Sequence, residues 1–200
     1  MKRIILGAAA LSALLTGGCT GPAPTPTPTG PVATGPAAPS PAATPSLCPR
    51  TPGATPTPCT QAQLDELVAK AALYAEAEQV YRRFFEEDGK LGMAGKDASP
   101  AVLELLGGPF VESYKAERKS LIGVTSNGYG DIRYVKPAPG QSEQGSEVAL
   151  SVCADGSRYV AYRDGNQIGH LGTRQSVFFF KTVDGSLRIW WQLSTKVSSC

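Results

Sequence analysis

From Leu64 onward, apolar residues return at steps of three and four. Leu67, Ala71, Tyr74, Ala77, Tyr81 and Phe84 form one stripe, and Leu64, Val68, Leu73, Val80 and Phe85 widen it. That period predicts a long amphipathic helix. Thr60-Gln61-Ala62-Gln63 opens it in the form of a capping box, with Thr at the N-cap and Gln three residues on. Asp88-Gly89 is the expected stop, because Gly suits the left-handed position after a helix. Ser99-Pro100 starts a short second helix over "AVLELL", with Ser as N-cap and Pro in the first turn. Gly107-Gly108-Pro109 ends it. "FVESYKAERKSL", residues 110–121, reads as a third helical piece with Phe110, Tyr114 and Leu121 on one side. Its "YKAERKS" portion mixes charges and is expected to be a solvated face.

Near residue 124 the period changes to two. "DIRYVK" is a predicted strand. In "EVALSVC", Val148, Leu150 and Val152 face one way, and Ala149, Ser151 and Cys153 the other. Asp155-Gly156, Asp164-Gly165 and Asp184-Gly185 are expected turns, since Gly tolerates the positive φ that tight hairpins need. "SVFFFKTV" and "SLRIWWQLSTKV" are the longest predicted strands. Strict alternation in the last puts Leu187, Ile189, Trp191 and Leu193 on one face and Arg188, Trp190, Gln192 and Ser194 on the other. Helices followed by an antiparallel meander define an α+β class, with N-terminal helices packed on the sheet.

Ahead of residue 60 the pattern is different. Lys2 and Arg3 precede an uncharged run from Ile4 to Leu15, twelve residues long. A membrane-spanning helix needs about 20. Small residues follow, and residues 1–18 have the layout of a secretory signal peptide. Leu15-Thr16-Gly17-Gly18-Cys19 resembles the lipobox of bacterial lipoproteins, with Thr16 where Leu is commoner. That resemblance implies cleavage before Cys19, attachment of a diacylglycerol (palmitate-type chains) to its sulfur through a thioether and a lipid anchor at the outer face of the cell membrane. Two acyl chains anchor stably where one holds marginally. Residues 19–59 hold 13 of the 17 prolines and nine threonines, with Arg50 as the one charged side chain. Such a stretch buries too little apolar surface to offset chain ordering and favours polyproline II. It is expected to be a disordered Pro/Thr linker carrying one domain, residues 60–200. Its threonines are candidate O-glycosylation acceptors on composition alone.

Over residues 60–200 the order of elements resembles the nuclear-transport-factor-2-like (SnoaL-like) superfamily. The most specific part is "VALSVCADGSRYVAYRDGNQI" followed by a hairpin ending in "RIWWQL", which is similar to secreted actinobacterial members. The resemblance implies a long helix and shorter companions against a curved antiparallel sheet, leaving a cone-shaped pocket. A cystatin-type α+β fold shares the same order. Four cysteines beside Cys19 form an even set in an exported chain and allow three disulfide connectivities. Cys153–Cys200 is favoured, because both lie on the odd side of the alternation and the resemblance sets their strands close together. Cys48–Cys59 would then close a small loop between linker and domain. The crossed pairings stay open.

Charge narrows the function. Removing Lys2 and Arg3 from 19 basic residues leaves 17 against 17 acidic ones. Nucleic-acid partners leave a basic patch or stripe, which this balance speaks against. With a single histidine and no Cys-x-x-Cys, no metal site and no cofactor is expected. The resemblance implies that catalytic relatives use an Asp or His base in the cone with Tyr or protonated Asp donors. His170 lies between glycines and reads as a surface loop, while Asp155, Asp164 and Asp184 read as turn residues. No catalytic residue is therefore assigned. Tyr74, Tyr81 and Trp191 are candidate cavity residues whose simpler role is core packing. Trp190 is the candidate centre of an exposed aromatic patch, joined by Phe178 and Phe180 if their strand alternates outward.

The functional expectation is a lipid-anchored extracytoplasmic binding or interaction module, contacting an envelope protein or a small apolar ligand. The alternatives are an isomerase-, cyclase- or dehydratase-type enzyme, and a structural or accessory envelope protein, including one that self-associates through its sheet.

Overall fold

The computed structural model describes residues 46–48 and 55–200. The signal segment, Cys19 and most of the expected linker lie outside the described residues. Within the segment expected as linker, β1 (Ser46–Cys48) pairs antiparallel with β2 (Thr57–Cys59), and a Cys48–Cys59 disulfide closes the ribbon with its Cα atoms 5.8 Å apart.

Helix α1 (Gln61–Ala94) starts at the predicted capping box: the Thr60 hydroxyl accepts from the Gln63 N–H at 3.2 Å, and the Gln63 side chain accepts from the Thr60 N–H at 3.0 Å. It runs past the expected stop at Gly89 and ends at Gly95, whose φ of 61° is left-handed. Gly89 is buried in mid-helix instead, where a Cβ would collide with the base of the Tyr129 ring. Helix α2 (Pro100–Leu103) has Ser99 at its N-cap, and α3 (Gly108–Ser120) follows after the Gly107-Gly108 break.

The sheet contains β3 (Val124–Ser126), β4 (Asp131–Pro137), β5 (Val148–Arg163), β6 (Asn166–Val183) and β7 (Ser186–Val197). Its order is β3-β5-β6-β7 with β4 also on β5; every pairing is antiparallel, and the sheet curls strongly into a half-barrel. The fold is thus α+β, as the pattern predicted. Asp164-Gly165 and Asp184-Gly185 are two-residue hairpin turns, each with φ of 51° at Asp and 77° at Gly. Asp155-Gly156 is not a turn. Strand β5 passes straight through it, because a Cβ on Gly156 would lie 2.7 Å from the Leu171 Cβ and 2.8 Å from the Gly172 oxygen. Gly permits that close approach of β6. The register then slips between Gly156 and Val160, a local bend of the kind that curls a sheet.

One main core fills the concave side. Ala77, Val80, Tyr81, Phe84 and Leu91 of α1 meet Val148, Leu150 and Val152 of β5, Phe178 and Phe180 of β6, and Leu187 and Ile189 of β7. The front of the predicted stripe is outside it: Leu67 is 39% and Val68 61% exposed. A smaller cluster on the opposite face joins Ala138, Ala149 and Phe179. There, too, lies the Cys153–Cys200 disulfide, with Cα atoms 5.9 Å apart, tying the C-terminus to β5. The two disulfides suggest an oxidising, extracytoplasmic environment. Among the described residues no helix is long and apolar enough to cross a membrane.

Candidate functional site

The site begins with one extra residue. Phe180 pairs with Ile189 and Phe179 with Trp191, so Trp190 has no partner and forms a bulge in β7. Directly paired residues share a face, and a one-residue slip inverts every position beyond it. Leu187 and Ile189 therefore face the helices before the bulge, and Gln192, Ser194 and Lys196 face them after it. The expected grouping of Arg188, Trp190, Gln192 and Ser194 on one face is overturned by this bulge. Leu193, which strict alternation would turn inward, is 50% exposed.

The inversion ends the core and leaves a cavity of about 460 Å³ between α1, α3 and the sheet. Its apolar floor is an aromatic cluster. The Phe178 ring centroid lies 4.9 Å from Tyr81 and 5.9 Å from Phe84. The sheet wall is polar: the Ser176 hydroxyl donates to Ser194 at 2.9 Å, and the Gln192 amide donates to Ser176 at 3.4 Å. Arg174 continues this wall, paired with the cavity residue Ala154 on one side and with Lys196 on the other.

The helical wall carries Asp88, Tyr114 and Arg118. The Tyr114 hydroxyl donates to Asp88 Oδ1 at 2.7 Å, and Arg118 Nη1 stands 3.8 Å from the same oxygen. Arg118 Nη2 donates to the Lys96 carbonyl at 2.7 Å. Its Nε has no partner among the described residues, although the residue is 5% exposed. Burial pushes the Asp88 carboxyl above its usual range, and the Tyr114 bond and Arg118 oppose that rise. The Asp88 side chain still keeps 36% of its surface exposed, so water reaches it. Burial and the Asp88 charge raise the Tyr114 hydroxyl, and burial raises Tyr81; both stay protonated at neutral pH.

Of the residues singled out from the sequence, Tyr81 and Trp191 line this cavity. Tyr74 is not among its lining and packs, half-buried, against the core. Trp190 is half-buried at the sheet edge and anchors no exposed patch. Its ring lies over Gly107-Gly108, its Nε1 donates to the Gln144 carbonyl at 3.0 Å, and the Lys181 ammonium sits 4.7 Å from its centroid. Phe178 and Phe180 point into the core at 4% and 0% exposure, which removes the expected outer aromatic cluster. His170 is exposed on β6, paired with Val160. Asp155 lies on the opposite sheet face, where Ser157, Arg133 at 2.7 Å and Thr173 at 3.0 Å donate to its carboxylate and hold it well below the usual range.

Asp88, Tyr114 and Arg118 were not candidates in the sequence. The spacing of Phe110, Tyr114 and Arg118, four residues apart each time, carried the signal: one helix face that starts apolar and ends in a cation. Reading "YKAERKS" as wholly solvated hid Arg118, although Lys115, Glu117 and Lys119 are exposed as expected. Among the described residues no cluster of His, Cys, Asp or Glu could hold a metal.

No protein-family model matches the chain, and no curated protein matches it in sequence. Fold and site alone define its class: an α+β domain whose half-barrel sheet and helices enclose an amphipathic cavity.

Proposed function

We propose that this protein is a binding module of the cell envelope, with a nuclear-transport-factor-2-like domain that holds a small molecule in its cone. Cys19 with its thioether-linked diacylglycerol keeps it at the outer face of the membrane, and the Pro/Thr stretch spaces the domain from the bilayer. The observation that carries the reading is the cavity. At about 460 Å³ it falls within the roughly 300–1,000 Å³ of small-molecule sites, and it combines an apolar floor with a few convergent polar groups. Native mass spectrometry of the exported protein should show a non-covalent adduct that denaturation releases. Ser194→Trp, at an exposed lining position, should remove it. An adduct-free wild type whose melting is unmoved by a panel of amphiphiles would refute the reading.

One observation favours a second reading, an isomerase-, cyclase- or dehydratase-type enzyme. A carboxylate of raised pKa and a protonated tyrosine meet in the same cavity, as proton transfer next to a carbonyl requires. The binding reading stands first, because the Tyr114–Asp88 bond already has a structural task in tying α3 to α1.

A further inference from the structure

The mouth of the cavity carries an uncompensated pair of cations. Arg174 of β6 lines the cavity, and Lys196 of β7 is its direct cross-strand partner and so shares its face. Like charges placed directly opposite destabilise a sheet. Among the described residues neither forms an ion pair that would offset the other's charge; six of the sixteen described Lys and Arg side chains do form one. Glu117 on the facing helical wall lines the same cavity and lies beyond ion-pair distance of both. Lys196 does not simply reach into solvent. Its Cε would stand 3.2 Å from a Cβ on Gly172, a lining residue with φ of +77°, so the stem lies across the cavity edge. The pair is not a sample of a basic surface either, since beyond Arg3 the chain has 17 basic and 17 acidic residues.

We infer that the cavity takes a small amphiphile with one anionic group, a carboxylate, sulfonate or phosphate, seated between Arg174 and Lys196, and an apolar body directed toward Phe178 and Phe84. The inference rests on the cavity-binding reading and adds the chemical class of the ligand. Ser176, Ser194 and Gln192 continue the polar wall inward from the cations and supply neutral hydrogen-bonding groups. An anion at the mouth would relieve the cross-strand repulsion, so its binding is favoured twice, by its own attraction and by the repulsion removed.

Two fluorescent dyes test this, because they share a phenylnaphthylamine frame and differ by one sulfonate: 1-anilinonaphthalene-8-sulfonate and N-phenyl-1-naphthylamine. The full chain carrying Cys19→Ala is titrated with each at low salt, free of detergent. The anionic dye should bind about tenfold tighter than the neutral one, the size of one charge-assisted bond. Added salt should erode that preference and leave the neutral dye unaffected. The double variant Arg174→Gln/Lys196→Gln, two exposed positions, should abolish the preference for the anionic dye. Ser194→Trp should weaken both dyes. Equal affinities in the wild type, or a preference that survives the double variant, overturn the anion assignment alone. Binding of neither dye, or binding untouched by Ser194→Trp, overturns the cavity reading itself and the assignment with it.

Discussion

At the scale of single residues, Asp155 shows how one sequence signal serves two ends. Asp-Gly predicted a turn, and the other two Asp-Gly pairs are turns. At Asp155 the chain stays extended, and the carboxylate gathers Arg133, Thr173 and the Ser157 N–H around it. The shared dipeptide could not separate these cases, because two of the partners of Asp155, Arg133 and Thr173, come from β4 and β6. Those bonds lower its folded-state pKa below the ordinary 3.8. A depressed folded pKa gives stability that is fully present above the unfolded value and is lost as pH falls through the folded one. Asp155→Asn should therefore lower the urea midpoint at neutral pH, and the gap to wild type should close as pH drops below about 3.8. Urea titrations across pH 2–7 check this; a gap that stays constant or widens toward acid would contradict the assignment.

At the scale of elements, Gly89 marks where local reasoning ended a helix too soon. A glycine late in an amphipathic stripe reads as a C-cap, yet the helix continues to Ala94 and Gly95 is the cap. The Tyr129 ring, 5.4 Å from Phe85 by centroid, occupies the space where a Cβ at Gly89 would be. Alanine in a helix interior is ordinarily favoured over glycine by about 0.8–1 kcal/mol. Here Gly89→Ala should instead cost about 1–3 kcal/mol, the range of overpacking. Adding Tyr129→Ala should remove the clash, so in that background Gly89→Ala should stabilise. Chemical denaturation of the four proteins in this cycle measures the sign change. The bulge at Trp190 works at the same scale. Trp190 lies over Gly107-Gly108, where a Cβ on Gly108 would stand 2.5 Å from its ring, and hydrogen bonds from Gly107 and to Leu105 pin Ile189 beside it. Contacts from the α2–α3 connection hold the strand where it bulges, and the strand sequence alone has no record of them.

At the scale of the whole molecule, the proposed anchor makes a prediction separate from the cavity. Cys19→Ala should move the protein from the membrane fraction to the soluble exported fraction, since no described helix can take over the anchoring. Cell fractionation with immunoblotting decides it, and retention in the membrane would overturn the anchor. What the amino-acid order determined by itself is the set of features that neighbours in the chain create: the capping box at Thr60, the Ser99-Pro100 start, the Asp-Gly hairpin turns and the α+β succession. The disulfide pairing was legible only in combination with the resemblance of the whole domain. Tertiary structure alone decided the cavity. Whether Gln192 and Ser194 or Leu193 faces the helices depends on one unpaired residue, and a residue is unpaired only with respect to another strand. Side-chain alternation follows from the backbone of each strand, but its phase against the core is set where strands meet.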